Sequence, residues 1–410
     1  MDLRFLGGAR EVGRSAVLVD DSLLLDYGTK ADDPPQFPVG DVDPDAVVAS
    51  HGHLDHVGTL PALLSGSERP PIHWTPPTRE LALTLARDTL KLRGGTLQCP
   101  FTRTDVKRVT EVSEPHGYRE SFDAAGYEVT FFDAGHIPGS AHVLVDDGDT
   151  RLLYTGDFHT HNQRLVSGTT ARPDADVVVC ESTYSDVEHE NRQTVEERFV
   201  ESVRTTLWEG GTVVVPAFAI GRTQELLLIC EAHDIPCYVD GMGQQVTEML
   251  RQHPAFVRDA DALQRATSHA RFVTGRDGQR KRIAEENAAI VTTSGMLSGG
   301  PAMTYVPAIR TNPTNKVAMT GYQVEGTPGR DLVETGSAEL DGRRMPVAAR
   351  VEQYDFSAHA DRDGVLSLLD DYRESQVLVN HGDRCGRFAA ELRENGFAAR
   401  APELGETVTV

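Results

Sequence analysis

His51-Gly-His53-Leu-Asp55-His56 places four potential metal ligands within six residues, directly after the apolar run Ala46-Val47-Val48-Ala49. No other stretch constrains the fold as tightly. A buried strand that stops abruptly in a tight loop aims alternate side chains into one cleft, and imidazole with carboxylate suits zinc or a similar divalent ion. The plainer alternative is a solvated loop whose histidines cap a helix starting near Val57. It accounts for one or two of these residues, not for four.

At 410 residues the chain exceeds one small core, so two domains, or one domain with a large insertion, are expected. No apolar segment approaches the roughly 20 residues of a membrane span. Met1 to Arg14 carries charges and glycines where a signal peptide has an apolar core. A cytoplasmic protein with no membrane partner is the expectation. Cys99, Cys180, Cys230, Cys237 and Cys385 lie far apart with no Cys-x-x-Cys pair, which argues against a disulfide framework and against a thiolate zinc site. The formal charge of −22 ordinarily speaks against nucleic acid. Yet only five of the 40 basic residues are lysine, while Asp-rich segments at 41–45 and 146–149 punctuate the loops. That makeup resembles salt-adapted surfaces, whose self-repulsion is screened where the Debye length is about 3 Å. Net charge therefore excludes no RNA partner; a local arginine-lined groove suffices.

Short apolar runs at Asp2 to Leu6, Ser15 to Val19 and Leu23 to Leu25 read as strands, and Leu81 to Leu92 as a helix. Tyr127 to Phe132, His142 to Val145, Leu152 to Tyr154 and Val177 to Cys180 are further strand candidates, each followed by a residue able to ligate or titrate. From about Asn191 helices and buried strands alternate: a helix through Val195, Phe199, Val203 and Leu207, then Thr212 to Val215, Thr223 to Ala232 and Cys237 to Val239. Ile290 to Thr293 and Lys316 to Thr320 continue the series, which predicts a separate α/β unit with a parallel sheet. After Glu339 to Pro346, a helix at Val365 to Leu369 and a strand at Val377 to Val379 lead into His381 and resume ligand-bearing sheet chemistry. The middle block is thus an insertion.

A hydrolytic two-metal centre also needs a shared carboxylate and a group that protonates the leaving oxygen. His136 follows the strand ending at Phe132, Asp157 follows the next hairpin, and Asp26 ends an early strand; His359 and His381 lie in the last block. Each alone carries a modest signal, since a lone Asp at a strand end is more often a turn former and a lone His more often structural. His159 and His161 sit close enough to Asp157 to be decoys. His73, His116, His142, His189, His233, His253 and His269 take the structural reading.

Together, Asp26, His51-x-His53-x-Asp55-His56, His136 and Asp157, with Glu181, His359 and His381, resemble the metallo-β-lactamase superfamily and, within it, the beta-CASP nucleases. The likeness spans essentially the whole chain. It includes the strings Ala217-Phe-Ala-Ile-Gly-Arg222-Thr-Gln224, Ser294-Gly-Met-Leu-Ser-Gly-Gly300-Pro and Gly321-Tyr-Gln323-x-x-Gly-Thr-Pro-Gly-Arg330. The subgroup it looks most like is the archaeal homologues of the cleavage and polyadenylation specificity factor nuclease subunit. The short form, without KH domains before Asp2, is expected. Gly-Asp after His381 replaces the more usual Gly-Glu without removing a ligand.

That resemblance implies an α/β fold: a metallo-β-lactamase αββα sandwich (1–188 and 346–410) carrying an inserted Rossmann-like beta-CASP domain (189–345). It implies two zinc ions, one on His51, His53 and His136, the other on Asp55, His56 and His381, bridged by Asp157. Asp55 would also orient or deprotonate the attacking water, Asp26 would orient a ligand histidine, and His359, held by Glu181, would protonate the leaving oxygen. Arg222, Ser294 and Gly295 would contact single-stranded RNA, with a packed turn around a salt-bridged arginine as the alternative. A homodimer acting as an endonuclease in mRNA 3′-end processing or RNA maturation and decay follows from the subgroup. A 5′ to 3′ exonuclease uses the same ligands. A small-molecule hydrolase of the superfamily fits the insertion and His381 less well, a DNA repair nuclease of the same clan fits His381 less well, and a non-catalytic processing subunit would have lost ligands that are present here.

Overall fold

The strands that lead to the metal ligands are apolar on both faces. Leu23, Leu24 and Leu25 are all fully buried, as are Val177, Val178 and Val179. Because successive strand residues point to opposite faces, each such strand needs cover on two sides. The computed structural model, which describes residues 1–276 and 278–410, meets that demand with layers. The chain divides into one unit of Met1–Asn162, Gly168–Glu188 and His359–Val410 and a second of Gln163–Ser167 and His189–Ala358.

In the first unit, one seven-stranded sheet runs Thr407–Thr409, Asp2–Gly7, Ala16–Val19, Leu23–Leu25, Ala46–Val48, Ile72–Trp74, Ser113–Pro115. The other runs Ala398–Arg400, Gln376–Asn380, Val177–Glu181, Arg151–Tyr154, Ala141–Asp146, Tyr127–Asp133, Ser121–Ala124. Leu23, Leu25 and Val48 meet Val129, Val143, Leu152 and Val179 in the core between the sheets. The alternate residues Leu24, Val47 and Trp74 pack outward on the helices Pro76–Arg93 and Arg103–Glu111 through Leu83, Ala86 and Val109. Leu153, Val178 and Val379 do the same against Arg362–Leu369 and Cys385–Glu394 through Val365, Leu368 and Phe388. The result is an αββα sandwich. The helix read from Leu81 onward starts earlier, at Pro76, because Thr75 caps it by accepting from the Thr78 amide and prolines suit its first turn.

The second unit is built on a parallel sheet ordered Arg271–Phe272, Cys237–Asp240, Ala289–Thr292, Val213–Pro216, Lys316–Met319, Arg350–Gln353. Every neighbouring pair is parallel, as in a doubly wound, Rossmann-like unit. Its last strand pairs Val317 with Val351, which keeps the chain in this unit to Ala358, beyond the boundary at residue 345 read from sequence. No helix among the described residues is long and apolar enough to cross a membrane.

Candidate metal centre

Four strand ends of the first unit supply the centre. The strand Ala46–Val48 leads through Ser50 to His51, and the turn Leu54–Val57 carries Asp55 and His56. His53 precedes that turn but makes no side-chain cap, so the capping alternative does not describe it. His136 follows Tyr127–Asp133, Asp157 follows Arg151–Tyr154, and His381 follows Gln376–Asn380. At Gly156 (φ 52°) a Cβ would lie 2.8 Å from the Ser50 Cβ, so glycine lets the Asp157 loop close onto the His51 loop.

Asp157 lies between two sets of imidazoles. Its Oδ2 is 3.5 Å from His51 Nε2 and 3.9 Å from His136 Nε2. His53 Nδ1 completes that set, 3.2 Å from His51 Nε2 and 3.0 Å from His136 Nε2. The Asp157 Oδ1 faces the other set, 3.3 Å from His56 Nε2 and 3.5 Å from His381 Nε2, with Asp55 Oδ2 at 3.6 Å from His381 Nε2. In each set the ligand atoms, Asp157 included, lie within 4.8 Å of one another. His56 Nε2, His381 Nε2 and Asp157 Oδ1 are buried without a hydrogen-bond partner among the described residues. Such orphaned acceptors are costly unless a cation satisfies them, and the donor set is the one borderline divalent metals prefer.

Neighbouring side chains orient these ligands. Asp26 accepts from the Ser50 amide and hydroxyl at 2.7 Å, from the Tyr154 hydroxyl at 2.8 Å, and from His56 Nδ1 at 2.7 Å. A proton fixed on His56 Nδ1 turns the Nε2 lone pair toward Asp157. Ser15 Oγ sits 2.7 Å from His381 Nδ1 and does the same for that ring. Ser15 was not singled out from sequence, where it is the serine that opens the apolar run Ser15 to Val19.

Burial lowers His51 well below the ordinary imidazole range, with His56 adding to the effect, and brings His53 down to about 4 despite Asp55 and Asp157. Both are thus neutral, as ligands must be. At His56 burial is outweighed by Asp157 and Asp26, which raise it well above 6.5. Asp157 itself is held well below the usual carboxylate range: burial opposes its charge, but His381, His56 and His51 prevail. A metal cation held between these groups would take over the role that the proton on His56 otherwise has.

Beside the centre, Glu181 accepts from the Phe158 amide at 2.9 Å, and its two oxygens lie 3.2 and 3.3 Å from His359 Nδ1. Burial disfavours charge on His359, but Glu181 and then Asp157 raise it to about 9. Its Nδ1 also lies 3.9 Å from Asp157 Oδ2. Asp157, Glu181 and His359 form a further compact group.

His159 and His161 join none of these groups; their rings meet each other edge-on at 5.8 Å. His142 is a buried ring whose Nδ1 donates to the Thr155 carbonyl oxygen at 2.8 Å. His189, His233 and His269 pair with Asp355, Glu196 and the Ile235 carbonyl. His73 and His116, also given a structural role from sequence, come together with Glu114. In the second unit, Arg222, Ser294 and Gly295 gather at the carboxyl ends of the parallel strands. Arg222 Nη1 donates to the Thr320 carbonyl at 2.5 Å, Ser294 Oγ accepts from the Ser298 amide at 3.0 Å, and a Cβ at Gly295 would lie 3.0 Å from the Phe218 amide.

Residues 9–182 match the metallo-beta-lactamase superfamily, 223–332 the Beta-Casp domain, and 344–402 the Zn-dependent metallo-hydrolase RNA specificity domain. The chain is 35% identical over 424 residues to RNase aCSPSF2 of Saccharolobus solfataricus, covering 100% of this chain and 85% of that protein. It is 32% identical over 430 residues to Probable RNase MJ4 of Methanocaldococcus jannaschii, covering 100% of both. To Transcription termination factor FttA of Pyrococcus abyssi it is 33% identical over 457 residues, covering 98% of this chain and 70% of that protein. A crystal structure of a protein of unknown function from Enterococcus faecalis shares the fold, with a TM-score of 0.64, 14% identity, and coverage of 100% and 99% of the two chains.

Proposed function

This chain belongs to the beta-CASP family of the metallo-beta-lactamase superfamily, and we propose that it is a zinc-dependent ribonuclease cleaving phosphodiester bonds within single-stranded RNA, in mRNA 3′-end processing or RNA maturation and decay. The observation that carries this reading is Asp157, whose two oxygens face two separate imidazole sets, next to a histidine held by Glu181. The relatives named as RNases support the substrate class.

Two zinc ions fit the residues present: His51, His53 and His136 would hold one, Asp55, His56 and His381 the other, with Asp157 shared. Bound there, they supply Lewis acidity toward the phosphodiester and an activated water at neutral pH. The protein's own groups do the rest. Asp26 and Ser15 keep two ligand rings in the tautomer that presents Nε2. Asp55, whose side chain is 30% exposed, would orient the attacking water and accept its proton. His359 carries a proton that Glu181 stabilises, and donates it to the leaving ribose oxygen as the P–O bond breaks. Arg222 and the backbone at Ser294 and Gly295 supply contacts for phosphates. A homodimer is the proposed assembly, checked by light scattering at twice the chain mass.

The test uses a labelled circular single-stranded RNA, which only an endonuclease opens. Zinc-loaded protein is expected to linearise it and His359→Ala to do so far more slowly. Cleavage of linear RNA alone would replace the endonucleolytic reading with the 5′ to 3′ exonuclease, and no cleavage of either RNA would overturn the ribonuclease assignment.

A further inference from the structure

Outside the centre, His73, Glu114 and His116 offer one ligand atom each within 4.8 Å of one another. His73 lies mid-strand in Ile72–Trp74, in parallel register with Glu114 on the edge strand Ser113–Pro115. Ile72 and Trp74 pack toward the helices, so His73 faces the opposite sheet. His116 follows the edge strand and donates its backbone amide to the Trp74 carbonyl at 2.8 Å. This brings His73 Nδ1 to 2.9 Å from His116 Nε2 and 3.8 Å from Glu114 Oε2. The same facing of imidazole nitrogens occurs in the metal centre, at 3.2 and 3.0 Å.

We propose that His73, His116 and Glu114 form a second, structural metal site for zinc or a comparable borderline divalent cation. Two imidazole nitrogens and one carboxylate oxygen are the donor set such ions prefer over magnesium or calcium. Phe122 holds the rings in place, stacked at 3.7 Å on His116 and at 5.1 Å on His73. Glu114 is 56% exposed, which leaves the ion a route from solvent and room for water to complete its shell.

The rival arrangement is a plain N–H···N bond between two neutral imidazoles, in which Glu114 has no part. Its consequences differ. A cation would tie the polar three-residue edge strand to Ile72–Trp74, which is itself the neighbour of the strand leading to His51, with His73 opposite Val48.

Chelator-stripped protein is dialysed against zinc chloride and its zinc content measured for wild type, His116→Ala and Glu114→Gln. His116→Ala is expected to hold one zinc equivalent fewer than wild type, to gain less thermal stability on zinc addition, and to cleave RNA at the wild-type rate. Equal zinc content in wild type and both variants would overturn the site in favour of the imidazole pair. Should His116→Ala fail to fold, anomalous scattering at the zinc edge from wild-type crystals decides: a peak between His73, His116 and Glu114 supports the site, and its absence overturns it.

Discussion

Asp157 presents a different oxygen to each imidazole set, so its charge matters as much as its position. Asp157→Asn keeps the shape and removes the charge, and is expected to lose bound metal along with RNA cleavage. Asp26 acts one shell further out through His56 Nδ1; Asp26→Asn is expected to weaken metal affinity by roughly 10- to 100-fold, measured by competition with a chelating dye. At His359 the expected loss on substitution by alanine is about 10²- to 10⁴-fold in kcat, with metal content unchanged. The pH profile separates Glu181's role from simple packing. His359 must be protonated to act as an acid, so cleavage falls as pH rises through its pKa, which Glu181 and Asp157 hold above the ordinary value. Glu181→Gln removes a charge that favours the imidazolium, and the alkaline limb is expected to move to lower pH; an unmoved limb would leave Glu181 a merely structural residue. From sequence, the His51 to His56 cluster is legible by itself because four potential ligands crowd into six residues. His136, Asp157 and His381 are legible only through resemblance, since each is a single residue at a strand end. His73 and His116 lie 43 positions apart with no motif between them, and only parallel strand pairing joins them.

Among the elements, the strands that carry ligands are the ones whose apolar runs stand out in sequence, because burial on both faces leaves no polar alternation to blur them. Edge elements were silent for the opposite reason. Ser113–Pro115 and Thr407–Thr409 are three residues each, largely exposed, and their strand character comes from neighbours rather than composition. The end of the inserted unit was likewise hidden: Arg350–Gln353 is partly polar, and only its pairing with Lys316–Met319 assigns it. Loops between these elements pack backbone to backbone. A Cβ at Gly28 would lie 1.7 Å from the Asp55 carbonyl oxygen, so Gly28→Ala is expected to displace the Asp55 to His56 turn and reduce both melting temperature and zinc affinity. Wild-type zinc affinity in that variant would show that the turn tolerates the shift.

At the scale of the whole molecule, a formal charge of −22 repels itself and repels RNA. Screening relieves both, with a Debye length of about 10 Å at 0.1 M salt and about 3 Å at 1 M. The melting temperature is therefore expected to rise between those salt concentrations, as thermal unfolding followed by circular dichroism would report; a fall would remove the salt-adapted reading of the surface. The sandwich bears every proposed metal ligand, and segments at the carboxyl ends of the second unit's parallel strands bear Arg222, Ser294 and Gly295, the proposed RNA contacts. The central claim is that two zinc ions sharing Asp157 cleave RNA. Chelator-stripped His116→Ala protein, titrated with zinc and assayed on labelled single-stranded RNA, tests it most directly. Cleavage is predicted to be absent without metal and to reach its plateau at two equivalents. A plateau at one equivalent, or cleavage by the metal-free protein, would contradict the account.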